Sequence, residues 1–229
     1  MQPRLAWGVV LLVLWGLSLS PGGVGTVAAQ PTVSNVDSAR GRPVVRTIPP
    51  QAYEGSGQVW DIAQDGRGLL YIASSNGVQQ YDGARWRFLR TANETTPWAI
   101  ATDSSGRLYV GARNELGRYV PDSLGRLTYR SLRARVPAAH RPVGNVRDVV
   151  ATSTGLYFRT GGTVLRWRSK AAPGRRDSMQ VVTDTTGRGP VATELYACRG
   201  TAYLQARTGS LYRVDGTGLR RVADTNRLR

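Results

Sequence analysis

The chain has 229 residues, 31 Lys and Arg against 15 Asp and Glu, and a formal net charge of +16. A single cysteine, Cys198, rules out an intrachain disulfide and with it a small stapled secreted domain. The arginines are scattered rather than gathered in a basic block, which argues against a nucleic-acid partner; nonspecific attraction to anionic envelope components such as lipopolysaccharide is the residual effect of such a surplus.

In chain order, the first element is a leader over residues 1–29. Arg4 supplies a basic start, residues 5–19 an apolar run, and Val27-Ala28-Ala29 a small-residue cleavage point. The competing reading is an uncleaved anchor, but 15 apolar residues fall short of the roughly 20 that a spanning helix needs. No cysteine stands near the cleavage point to take a lipid. These features predict export to the bacterial periplasm, with membrane contact only through the leader or a partner. Residues 30–49 read as a linker, within which RPVVRTI, residues 42–48, is a candidate closing strand.

From residue 50 onward one unit recurs four times, over about 58–90, 98–132, 146–182 and 194–223. Tyr71 and Tyr81, Tyr109 and Tyr119, and Tyr157 and Trp167 are each ten residues apart, and Tyr203 and Tyr212 nine. The leading tyrosines follow one another at 38, 48 and 46 residues, the longer gaps arising from insertions in turns. Within a unit, an apolar run such as Trp60 to Ala63 is followed by a polar turn such as Asp65-Gly66-Arg67-Gly68. A second strand, a short turn, a third strand and an alternating fourth run follow. Asn76-Gly77 and Gly161-Gly162 suit tight hairpins, whose central positions need positive φ. Four strands every 40–50 residues or so, without an amphipathic helix, predict an all-β fold of β-propeller blades. Tyr71, Tyr81, Trp86, Tyr109, Tyr119, Tyr157, Trp167, Tyr203 and Tyr212 are expected in the layers between blades, and Cys198 is expected to be buried.

The stretch YIASSNGVQQYDGARWRFL, residues 71–89, resembles the repeat of the two-component-regulator propeller family. YVGARNELGRYVPDSLGRLTYRSL and LYFRTGGTVLRWRS are similar to further blades of such proteins, and the resemblance covers roughly residues 53–222. It implies a periplasmic ligand-sensing region that normally precedes a membrane helix and a cytoplasmic output module. This sequence shows no kinase motif, phosphate-binding loop or helix-turn-helix after its fourth unit, so it is expected to be part of a longer sensor or to act through a membrane partner. Family members carry more blades than four, which predicts an open partial propeller. An open arc exposes apolar surface on the last blade, for self-association or for C-terminal blades that are missing here.

Reactive groups are sparse. His140 is the only histidine and has no spaced partner, and Asp65, Asp82, Asp103 and Asp215 sit in glycine-bearing turns. No catalytic residue, metal ligand or cofactor is expected, and the chain is not expected to be an enzyme. Binding is better supported, at loops held by rigid blades. Lead-ins to the inner strands and the turns between second and third strands should share one end, which brings Gln58, Trp60, Trp98, Arg113, Asn114, Arg147 and Glu194 together. The indoles would stack on a sugar or aromatic group, and the arginines would pair with carboxylate or sulfate. The expected partner is a small molecule or oligosaccharide. The alternatives are a polysaccharide lyase or hydrolase on a propeller scaffold, and a scaffold for envelope proteins.

Overall fold

The computed structural model describes residues 47–53, 58–92, 94–169, 177–183, 187 and 189–224. The leader lies outside them, as do residues 42–46 of the candidate closing strand; Thr47 and Ile48 are described and form no strand.

Among the described residues sixteen strands form four antiparallel sheets, each a meander of four consecutive strands. The first holds β1 (Val59–Gln64), β2 (Leu70–Ser74), β3 (Gly77–Tyr81) and β4 (Trp86–Leu89). The second holds β5 (Pro97–Thr102), β6 (Leu108–Ala112), β7 (Glu115–Pro121) and β8 (Leu127–Ser131). The third holds β9 (Val146–Thr152), β10 (Gly155–Thr160), β11 (Thr163–Arg168) and β12 (Ser178–Val181). The fourth holds β13 (Ala192–Cys198), β14 (Thr201–Ala206), β15 (Ser210–Asp215) and β16 (Gly218–Asp224). Only 3-10 turns interrupt them among the described residues, at Pro50–Tyr53, Arg133–Arg135 and Ala138–His140.

The first strands β1, β5, β9 and β13 neighbour one another in turn, whereas the outer strands barely meet. The sheets therefore fan out from a common inner edge, as blades of an open partial propeller. Three apolar cores fill the wedges between them. Tyr71, Ala73 and Val78 of the first sheet pack on Ile100, Leu108, Val110 and Tyr119 of the second. Tyr109 and Leu116 pack on Val149, Phe158, Leu165 and Trp167 of the third. Val150, Tyr157 and Val164 pack on Leu195, Ala202, Leu204 and Val214 of the fourth. Alternation along each strand serves both faces, so each inner sheet is apolar on two sides rather than one.

Local chemistry fixes the turns. Asp65 accepts the N–H groups of Arg67 and Leu69 on one carboxylate oxygen, and the Arg67 guanidinium and the Tyr71 hydroxyl on the other. Asp103 repeats this with the N–H of Ser105 and Arg107, the Arg107 side chain and the Tyr109 hydroxyl. The leading tyrosines of two sheets are thus pinned to the turn that precedes them. Gly161 and Gly162 occupy the centre of the β10–β11 turn with φ of 52° and 94°, as a primed turn requires.

Three expectations need correction. The β2–β3 turn is centred on Ser75-Asn76, not Asn76-Gly77, since Ser74 pairs with Gly77. Gly77 is needed instead for packing: a Cβ there would stand 2.5 Å from the Phe88 ring. Cys198 is exposed, because it ends β13 on the face of the fourth sheet that no other described sheet covers. Tyr81 and Trp86 stack on each other at 4.4 Å on the outer face of the first sheet, beside Tyr53, instead of filling a layer between blades.

Candidate functional site

Each inner strand skips one residue in its pairing with the second strand. The register shifts fall between Val59 and Asp61, Pro97 and Ala99, Val146 and Asp148, and Ala192 and Glu194. Trp60, Trp98, Arg147 and Thr193 are therefore the unpaired residues of four equivalent bulges. A bulge bends its strand and re-aims a side chain. Here it does so at the same height on every blade.

The tight turns stand at this same end. The Trp60 indole N–H donates to Ser75 Oγ at 3.2 Å, and the Thr96 hydroxyl donates to the Ser75 carbonyl at 2.9 Å. The Asn114 N–H donates to the Gly144 carbonyl at 2.7 Å, while Asn114 Oδ1 accepts the Val143 N–H at 3.0 Å. Arg113 bridges to Asn145, and the Ala192 N–H donates to the Gly162 carbonyl at 2.8 Å. In the first three sheets, then, the turn between second and third strands is fastened to the lead-in of the next inner strand.

The individual residues divide by what they touch. The Arg147 guanidinium lies over the Trp98 ring, 4.0 Å from its centroid, joining the bulges of the second and third sheets. Trp60 is 38% exposed and Arg113 is exposed, so both present surface to solvent. Gln58 is exposed just ahead of β1. Asn114 is committed to the backbone of the next lead-in, and its φ of 49° is that of a turn residue. Glu194 sits on the fourth inner strand one residue past its bulge, exposed, where its carboxylate takes the Tyr196 hydroxyl.

Sequence reasoning missed two acidic residues beside these. The Asp61 carboxylate accepts the Ile100 N–H at 2.8 Å, and Asp148 accepts the Leu195 N–H at 3.0 Å, each reaching the inner strand of the following sheet. Asp148 also holds the Arg159 guanidinium. Burial pushes the Asp61 carboxyl above its ordinary range, against the lowering effect of the Ile100 and Ile62 amides, and the negative charge of Asp148 adds to the rise. The signal available in the sequence was an acidic residue directly after the bulge position in three of four units: Asp61, Asp148 and Glu194.

This end is thus an arginine- and tryptophan-bearing rim over the Asp61 and Asp148 carboxylates, which are engaged with backbone, with Glu194 exposed beside them. Among the described residues no group of three His, Cys, Asp or Glu is placed to hold a metal ion. A separate cleft of about 620 Å³ opens between the second and third sheets at the opposite end, lined by Asp103, Arg107, Tyr109, Ser153, Trp167 and Ser169. None of the expected site residues reaches it.

No protein-family model matches the chain, and no curated protein matches it. Solved structures do. The extracellular domain of a protein described as a hybrid two component system of B. thetaiotaomicron superposes with a TM-score of 0.52 at 19% identity, over 73% of this chain and 22% of that one. A streptogramin B lyase superposes with a TM-score of 0.52 at 12% identity, over 71% and 53%. Virginiamycin B lyase from Staphylococcus aureus does so with a TM-score of 0.53 at 11% identity, over 73% and 56%. The chain spans about a fifth of the first and about half of each lyase. Similarity at such identities is similarity of fold, and the fold it shares with them is that of propeller blades.

Proposed function

We propose that the chain is the ligand-binding propeller portion of an exported bacterial envelope sensor, with no catalysis of its own, and that it takes an anionic saccharide or small organic acid at the inner mouth. The observation that carries this reading is the alignment of four bulges, which lifts Trp60, Trp98 and Arg147 to one end of the inner edge. An indole face suits a sugar ring, and the guanidinium beside it suits a carboxylate or sulfate. The sensor-like resemblance of the repeats and the basic–apolar–small leader support the periplasmic setting.

The Asp61 and Asp148 carboxylates argue for binding over turnover. A polysaccharide lyase or hydrolase needs an acid or base free to meet its substrate. Asp61 and Asp148 each hold a backbone amide of the next sheet, so moving a proton to substrate would cost a bond between blades.

Thermal-shift and calorimetric titration of the purified protein with uronate-containing oligosaccharides and sulfated saccharides test the proposal. A ligand at a hundredfold excess over its Kd stabilises by about 2.7 kcal/mol, a readily seen shift. Binding that is lost in Trp98→Ala and in Arg147→Ala is the expected result. No stabilisation by any anionic saccharide or acid would defeat the ligand reading, and measurable depolymerisation would replace it with the catalytic one.

A further inference from the structure

The cleft between the second and third sheets, at the end away from the bulges, is rich in hydrogen-bond donors and poor in acceptors. It encloses about 620 Å³, a volume that suits a small molecule. Asp103 is its lining carboxylate, and both oxygens are already engaged. Oδ1 accepts the N–H groups of Ser105 and Arg107, and Oδ2 accepts Arg107 Nε and the Tyr109 hydroxyl. The clamp holds Arg107 by its Nε and directs Nη1 across to the third sheet, where it donates to Ser169 Oγ at 3.4 Å. Arg118, on β7, donates to the same oxygen from its own Nη1, also at 3.4 Å. Asp177 stands 3.6 Å from Arg118 Nη2, too far for a hydrogen bond. Two guanidiniums therefore share one neutral hydroxyl, at the outer limit of hydrogen-bond length.

Two further donors have no acceptor among the described residues. The Trp167 indole N–H is one, on a side chain 2% exposed that lines the cleft; Arg118 Nε is the other, and the Arg118 guanidinium lies over the Trp167 ring at 5.8 Å. Buried polar groups without partners are uncommon, and each calls for an explanation such as a missing ion or water. Here two of them fall on touching residues at one cleft. Arg168 adds another cation to the lining, and Ser104, Thr152, Ser153 and Ser178 bring hydroxyl groups to it.

We propose that this cleft is a second ligand site, which takes a small hydroxylated oxyanion, a sugar acid or a polyol phosphate. Its anionic oxygens bridge the Arg107 and Arg118 guanidiniums beside Ser169. Two oxygens of one carboxylate or phosphate replace a shared neutral hydroxyl with charge-assisted bonds, which are shorter and about twice as strong. The Trp167 and Arg118 Nε donors lie behind the wall, and with no acceptor of their own they add to the positive potential that holds the anion. The ligand's hydroxyls meet the serine and threonine side chains. The site shares no residue with the inner mouth, so it stands or falls independently of the ligand proposed there.

The test is calorimetric titration of the purified protein, together with the NMR signal of the Trp167 indole N–H, identified by its loss in Trp167→Phe. The probes are glucuronate and glycerophosphate, with neutral glucose and glycerol and inorganic sulfate as comparisons. At least one of the two hydroxylated anions is expected to bind and to move the Trp167 signal, more tightly than sulfate, while the neutral compounds do neither. Which of the two binds distinguishes carboxylate from phosphate. Trp98→Ala, at the inner mouth, should leave this binding intact, and Arg118→Gln should weaken it about tenfold or more. Arg118 packs on Trp167, so Ser104→Glu supplies an arm that does not disturb the fold: Ser104 is exposed in its turn, and a carboxylate there repels the anion. No binding by either anion would overturn the proposal, as would glucose or glycerol binding equally well. Sulfate bound as tightly as the hydroxylated anions would reduce the site to bare anion attraction and also overturn it. So would affinity unchanged in Ser104→Glu, or binding that is lost in Trp98→Ala while the Trp167 signal stays still, which would put the ligand at the mouth.

Discussion

The Arg147 guanidinium carbon lies 4.0 Å from the centroid of the Trp98 ring, so the bulge residue of the third sheet is held on the bulge residue of the second. Arg147 is exposed, and a cation–π pair in such a setting contributes about 0.5–1 kcal/mol. Arg147→Gln should therefore lower stability by no more than that while uncovering the indole. The measurement is quenching of tryptophan fluorescence by acrylamide, compared with Trp98→Phe as a background lacking that ring. Increased quenching in Arg147→Gln is expected. Unchanged quenching would mean that the stack does not persist in solution, and the rim would lose its preformed binding platform.

The aspartate clamps predict acid sensitivity. Burial alone would raise the Asp103 carboxyl, but the Arg107 and Ser105 bonds outweigh it, and the group lies below its usual 3.8. Asp65 is lowered in the same way, burial being outweighed by the Arg67 side chain and the Arg67 and Leu69 amides. A carboxylate with a depressed folded value contributes stability above its unfolded value, and that contribution is lost as pH falls through the folded value. Urea midpoints should accordingly drop below about pH 4. Asp103→Asn should cost roughly 1–2 kcal/mol at pH 7, since the hydrogen bonds lost involve charge but are partly solvated. The variant should also show a flatter acid limb; an acid limb as steep as the wild type's would remove Asp103 from the account.

Much of the fold was legible because the repeat is written in residues whose roles do not depend on distant partners. The tyrosine pairs at a spacing of ten, the aspartate turns and the Gly161-Gly162 hairpin report the meander directly. What the sequence concealed was register. Trp60 and Trp98 look like ordinary inward strand residues, and only the pairing of Asp61 with Ala73 and of Ala99 with Gly111 shows that each was skipped. Face assignments beyond the bulge shift by one residue as a result. That is why the amide contacts of Asp61 and Asp148 could not be read in advance; Cys198 lies in an apolar run that suggests burial, and it is exposed because no described sheet covers its face of the fourth sheet.

Asp61 predicts a pH response of the opposite sign. Its carboxyl is raised chiefly by burial, with the charge of Asp148 adding to it. A raised folded value means a contribution present below the unfolded value and lost as pH rises through the folded one, so the ionised form is a modest burden at pH 7. Asn can still accept the Ile100 N–H through its side-chain carbonyl, but its NH2 then faces the Ile62 N–H that the carboxylate also accepts. Relief of the buried charge and loss of the Ile62 bond oppose each other, so Asp61→Asn should stay within about 1 kcal/mol of the wild type at pH 7 once solvent screening is allowed for. Asp61→Ala leaves the Ile100 amide without this acceptor and should cost about 1–2 kcal/mol. Denaturant titrations of the two variants side by side decide it. If Asn loses as much as Ala, the negative charge itself is needed between the first two sheets.

Gly111 sets how closely the third sheet approaches the second. A Cβ at this position would meet Val146 Cγ1 at 2.4 Å and Val149 Cγ2 at 3.0 Å. The joint between these sheets has Ala99 where the first and third sheets carry aspartates, so it lacks the carboxylate-to-amide contact of the other two and relies on close packing. The backbone at Gly111 does not require glycine, as its φ is not in the left-handed region. Gly111→Ala therefore tests sterics alone: strand propensity favours Ala, and overpacking opposes it at about 1–3 kcal/mol. A net loss in the midpoint of urea unfolding is expected. Adding Val146→Ala vacates the space the new methyl needs, so the double variant should lose less than the sum of the single losses. Simple additivity would show that the second and third sheets do not meet at Gly111 and Val146 as described.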